Sequence, residues 1–181
     1  MTRVATGSAA ANLARQMVET YALTERMNQL VLDALDPDVW RAAPPGPRAR
    51  TIAAIVAHVH NVRCRWIRLS APHLGVPAQL DRGRCTINQA RSALRQSGAR
   101  CGAMLREALV EETGRVERFR RDAYLGPWAP GAAMFTYMIA HEAHHRGQIW
   151  MLARQLGSPL SRETSASIWQ WEKLMPSPAR R

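Results

Sequence analysis

Residues 134–156 read Met134-Phe-Thr-Tyr-Met138-Ile-Ala-His141-Glu-Ala-His144-His145-Arg-Gly-Gln148-Ile-Trp-Met-Leu152-Ala-Arg-Gln-Leu156, and Gly157 follows. At about 100° per residue, Met134, Met138, His141, His145, Gln148 and Leu152 fall on one stripe. That is the seam of a long amphipathic helix, predicted over Ala132–Leu156, with Gly157 as its stop and Pro159 just beyond. Two histidines therefore stand in the middle of a face that should meet a core.

Working outward, the same periodicity recurs three times. Leu13, Met17, Thr20, Thr24, Met27, Val31 and Ala34 form one helix face, ended by Pro37. Ile52, Ile55, Val59, Val62, Trp66 and Leu69 form a second seam over Thr51 to Leu69. A third helix opens on Thr86-x-x-Gln89, a capping-box pattern in which each side chain satisfies the other's backbone N–H. It continues through Ile87, Ala90, Leu94, Cys101, Leu105 and Ala108. A fifth, short helix is expected over Arg162–Leu174. Turn-rich stretches separate the helices: Ala42-Ala-Pro-Pro-Gly-Pro47, the segment holding Pro72, Gly75 and Pro77, and Gly126-Pro-Trp128-Ala-Pro130. Nothing alternates at period two for long. The fold class predicted is all-α: a four-helix bundle with a short extra C-terminal helix, one domain over 1–181 with its core at about 13–174. The connection between the third and fourth helices exceeds 20 residues, which argues against a simple up-down-up-down order.

Composition agrees with one soluble domain. The chain has 181 residues, 46% of them hydrophobic and 22% charged, enough for a core without staples. No apolar run approaches the ~18 residues of a membrane span, and no secretory signal is visible in Met1–Gln16. Cys64, Cys85 and Cys101 are odd in number and contain no C-x-x-C pair, which fits a reducing cytoplasm.

Charge is the unusual feature. The net charge is +11, Lys173 is the single lysine, and Arg48 to Arg106 holds eleven arginines against Asp81 alone. Such a balance fits solvated helix faces or an anionic partner. Arg91, Arg95 and Arg106 share a stripe on the third helix, but no aromatics interleave to stack bases and no helix-turn-helix is present. Nucleic acid is therefore an alternative partner, below a small molecule.

Chemistry concentrates on the histidines. The i, i+4 spacing of His141 and His145 puts their Cβ atoms ~6 Å apart on one face. His58 flanks the apolar seam of the second helix, while His60 is expected to face water and Cys64 to project off the seam. His58, His141 and His145 could together bind a divalent metal, leaving coordination positions open as catalytic sites do. Alternatively, His58 is a core histidine bonded to backbone. His141-Glu142-Ala143-His144-His145 also spells H-E-x-x-H, in which Glu142 would be a metallopeptidase's general base. That motif pairs with a sheet edge, and no strand is predicted, so Glu142 reads as solvated or as an outer carboxylate supporting the ligands. Glu142 and His144 are the candidate catalytic groups. Trp169 and Trp171 suggest a docked terminal helix, and Trp128 a cover over one end of the bundle.

The stretch His141-Glu-Ala-His-His145-Arg-Gly-Gln-Ile and the histidine after the aliphatic run Thr51-Ile-Ala-Ala-Ile-Val-Ala-His58 resemble the DinB-like (DinB/YfiT) family of metal-binding four-helix bundles. The resemblance spans about Leu13 to Trp171. It implies metal ligands at His58, His141 and His145, an ion such as nickel, zinc or iron, and frequent homodimers. The implied activities are thiol transfers and isomerisations with low-molecular-weight thiols such as mycothiol or bacillithiol. A metal-dependent hydrolase using Glu142 or His144 as base is the second enzymatic expectation.

Overall fold

A computed structural model of the chain describes residues 3–42, 46, 49–111 and 113–175. Four long helices dominate: α1 (Arg3–Asp33), α2 (Ile52–Ser70), α3 (Ile87–Leu109) and α4 (Ala132–Gln155). Their ends follow the local chemistry of the sequence. Thr51 Oγ1 accepts the Ala54 N–H at the start of α2, and the Thr86/Gln89 capping box is complete at the start of α3. Past α4 the chain turns at Gly157, whose φ of +84° is cheap only for glycine. There the Gly157 and Ser158 N–H groups return to the carbonyls of Arg154 and Ala153. α1 begins ten residues earlier than its apolar stripe, and the turn-rich stretch at 42–47 lies mostly outside the described residues.

The expected all-α bundle is present, and its connectivity is specific. α1 and α2 each pack against both α3 and α4, so the order around the bundle is α1–α3–α2–α4. Two apolar clusters fill its two halves. One joins Met27 and Val31 of α1, Ile52 and Val56 of α2, Leu94 of α3 and Ile149 of α4. The other joins Tyr21, Trp66, Met104, Met134 and Met138 with Phe119 from the last long connection. The order in which each helix meets the clusters fixes its direction. α1 and α4 run one way, α2 and α3 the other. The departure from up-down-up-down thus lies between α2 and α3, where residues 71–86 run back along the bundle as a strap.

His60 holds that strap, contrary to its expected exposure. Its ring is fully buried, with Nε2 donating to the Ala78 carbonyl at 2.8 Å and Nδ1 3.1 Å from Ser97 Oγ. Asn61 exchanges two bonds with the Leu80 backbone. Cys64 lies off the main seam as expected, buried on the same side as His60, its Sγ 3.3 Å from the His60 ring. Between α3 and α4, Phe119 and Trp128 trade backbone bonds as an isolated bridge, and Trp128 meets Tyr137 edge-to-face with ring centres 5.1 Å apart.

The C-terminal helix is broken in two, α5 (Arg162–Ser167) and α6 (Trp171–Leu174). Ile168 packs into the core, but Trp169 is 73% exposed and Trp171 44%, so it is not the indoles that dock this segment. The Arg26 side chain, bonded to the Leu174 carbonyl, ties α6 to α1 instead.

Candidate metal centre

α2 and α4 pack side by side, and this contact brings together the three histidines picked out by spacing. The ring centres lie 5.5 Å (His58–His141), 4.7 Å (His58–His145) and 4.6 Å (His141–His145) apart. One nitrogen from each ring lies within 4.8 Å of the others, a group that can hold a metal ion. Around them the supports differ. His141 is wedged edge-on against Trp66 at 5.2 Å. His145 Nδ1 donates to Gln148 Oε1 at 2.8 Å, which leaves Nε2 as its free nitrogen. Gln148 Nε2 in turn donates to His144.

Two observations fit a cation here. Among the described residues the Nδ1 atoms of His58 and His141 are buried without a hydrogen-bond partner, an expensive state for an imidazole that a ligand on that nitrogen would relieve. All three rings also resist protonation. Burial first, then the neighbouring histidine, pushes His58 and His141 down to about 4, and burial lowers His145. At neutral pH each therefore offers the uncharged lone pair that a metal requires. The rings open into a cavity of about 780 Å³, with His144 on its wall.

The family model for the DinB family matches residues 6–168. The chain belongs to the DinB family. No curated protein and no solved structure matches it.

In this DinB chain Glu142 is neither solvated nor beside the cavity. It is 1% exposed and points into the bundle. Its carboxylate accepts from Arg63 Nε at 2.8 Å, Arg63 Nη2 at 2.6 Å, Tyr21 Oη at 2.9 Å and Asn28 Nδ2 at 2.7 Å. Burial alone would raise its pKa, but the Arg63 guanidinium and these bonds hold it below the usual range. A carboxylate so saturated has no lone pair left for a proton from water, which removes the reason to cast it as a general base. Nor is there a named strand among the described residues to serve a peptidase reading of H-E-x-x-H.

Arg63 went unnoticed in the sequence. It is fully buried, donates Nη1 to the Leu94 carbonyl, and also pairs with Glu25 at 2.7 Å. This ionic layer separates the two apolar clusters and fixes α4 at the residue after His141. The signal was available: Val59-Arg63-Trp66 and Met138-Glu142-Ile149 put opposite charges on the seams of two helices. The arginine stripe of α3 is also only partly solvated. Arg91 pairs with Asp33 at 2.9 Å and Arg95 donates to Gln29, tying α3 to α1, while Arg106 is exposed.

Proposed function

We propose that this DinB protein is a divalent-metal-dependent transferase that works with a low-molecular-weight thiol, with His58, His141 and His145 as the protein's ligands. The observation that carries this reading is the convergence of three neutral imidazoles, two with orphaned buried nitrogens, at the floor of an open cavity. Three nitrogen donors suit zinc, nickel or iron and leave positions free for a small molecule. When bound, such an ion supplies the positive charge that makes a nearby thiol a thiolate at neutral pH.

The chain's own residues do the positioning. Trp66 and Gln148 fix two of the rings, and the Arg63–Glu142 pair locks the α4 backbone between them. Ile55 and Leu152 give the cavity wall apolar patches. His144, exposed on that wall and bonded through Gln148 to His145, favours a second reading. In it His144 is the base of a metal-dependent hydrolase.

Plasma mass spectrometry of untagged protein tests the first step. About one equivalent of a transition metal is expected in the wild type and in His60→Gln, and none in His58→Ala, His141→Ala or His145→Ala at unchanged far-UV dichroism. Full metal retention in His141→Ala would remove the site. Thiol-dependent conjugation of 1-chloro-2,4-dinitrobenzene, lost in the same variants, then separates transferase from hydrolase.

A further inference from the structure

The cavity above the histidines holds more positive charge than the protein itself neutralises. Arg50, Arg65 and Arg121 line it, and the one carboxylate among its described lining residues, Asp122, pairs with Arg65 at 3.3 Å. Among the described residues, Arg50 and Arg121 have neither an acidic partner nor a hydrogen bond. Both line the same cavity as the three histidines. The Arg121 guanidinium lies 5.7 Å from the Tyr137 ring centre, and Tyr137 is 6.3 Å from His141. Arg50 lines the cavity together with His58 and His145. Much of the remaining wall is apolar, including Ile55, Val62, Leu125 and Met151.

No carboxylate belongs to the candidate ligand set. A divalent ion held by three neutral imidazoles keeps its full charge, and the nearby guanidinium groups add to it. Two cationic features that share one cavity repel each other unless a ligand supplies the missing negative charge. Arginine is the side chain suited to that task, because its planar fork matches a carboxylate or phosphate group bidentately.

We propose that the cavity takes a small organic oxyanion, its charged group held by Arg50 and Arg121 and its apolar body against Ile55, Val62 and Leu125. The anion and the metal ion bind with mutually reinforcing affinity. This rests on the metal reading of the three histidines, and names the substrate class that site would accept. Because binding linkage is reciprocal, metal must tighten the anion by the same factor by which the anion tightens metal.

Calorimetric titration of zinc-loaded and zinc-free protein with 3-phenylpropanoate, phenyl phosphate and the neutral 3-phenylpropanamide tests it. The zinc-loaded protein should bind at least one anion about tenfold more tightly than the amide. Whichever anion wins tells carboxylate from phosphate. In Arg50→Gln/Arg121→Gln the preference should fall to about one, with one zinc equivalent still retained. Equal binding of anions and amide overturns the proposal. So does a preference that survives the double substitution, or the absence of anion binding at about 10 mM, where even weak sites register. Failure of the metal reading looks different: the wild type would then hold no zinc at all. An anion preference equal with and without zinc overturns the coupling.

Discussion

Glu142→Gln is the substitution whose consequence the structure defines most sharply. The carboxylate lies in the ionic layer with both oxygens occupied, and Arg63 opposite it is fully buried. A glutamine of the same shape keeps one acceptor but loses the charge, and points an amide N–H₂ at donors from Arg63, Tyr21 or Asn28. Arg63 is then left with Glu25 as its only carboxylate partner among the described residues, and Glu25 is itself pushed toward protonation by burial. Removing one partner of a buried ion pair costs about 3–5 kcal/mol, against a total stability of about 5–15 kcal/mol. For a domain of this length that corresponds to a fall in Tm of roughly 6–20 °C. Urea and thermal unfolding followed by far-UV dichroism measure it, with all samples stripped of metal by chelator. The companion variant is Arg63→Met/Glu142→Leu, in which both charges disappear together. It should cost less than the sum of Arg63→Met and Glu142→Leu by about 2 kcal/mol or more. A Glu142→Gln protein within about 1 kcal/mol of wild type would refute the reasoning, as would additive single substitutions. A base role for Glu142 predicts the opposite pattern, with stability kept and activity lost.

Two further predictions concern stability. Metal-free protein should become less stable as pH falls from about 6.5 to about 4, because the unfolded chain protonates histidines that the fold keeps neutral down to about 4. His58→Ala/His141→Ala should flatten that slope in Tm against pH, and an unchanged slope would place the titration elsewhere. On α3, Gly98 and Gly102 should answer differently to alanine. A Cβ at Gly98 would stand 2.7 Å from Glu25 Oε2, in a carboxylate held by Arg63 at Oε2 and by Gln29 at Oε1, whereas Gly102 has nothing within 4 Å. Gly102→Ala should therefore gain up to about 1 kcal/mol in urea unfolding, and Gly98→Ala should lose about 1–2 kcal/mol despite the same gain in helix propensity.

The helices and their ends were legible because they are local. Thr51, Thr86 with Gln89, and Gly157 act within four residues of themselves, so their chemistry is written in the linear order. The histidine group was legible for a related reason. His141 and His145 share a helical face by spacing alone, and only His58 needed a second element. Two side chains were misjudged on the same ground: helical angle gives direction, not what lies in that direction. His60 points away from the main seam, yet the strap of residues 71–86 covers it. Glu142 looked like a surface acid, yet it points at a buried arginine on α2.

By itself, then, the sequence determined the helical class, the number of long helices, their caps and the three imidazoles, because periodicity and capping depend on neighbours within a turn or two. Only the tertiary structure decided the order of helices around the bundle and the course of the strap. It alone put Arg63 beside Glu142 across 79 residues of chain, and Arg50, Arg65 and Arg121 in the lining of one cavity. A charge on a helix seam shows in the periodicity, but the partner it meets across the bundle does not. The energy of such a pair comes from burial and distance, which exist only once the helices have packed.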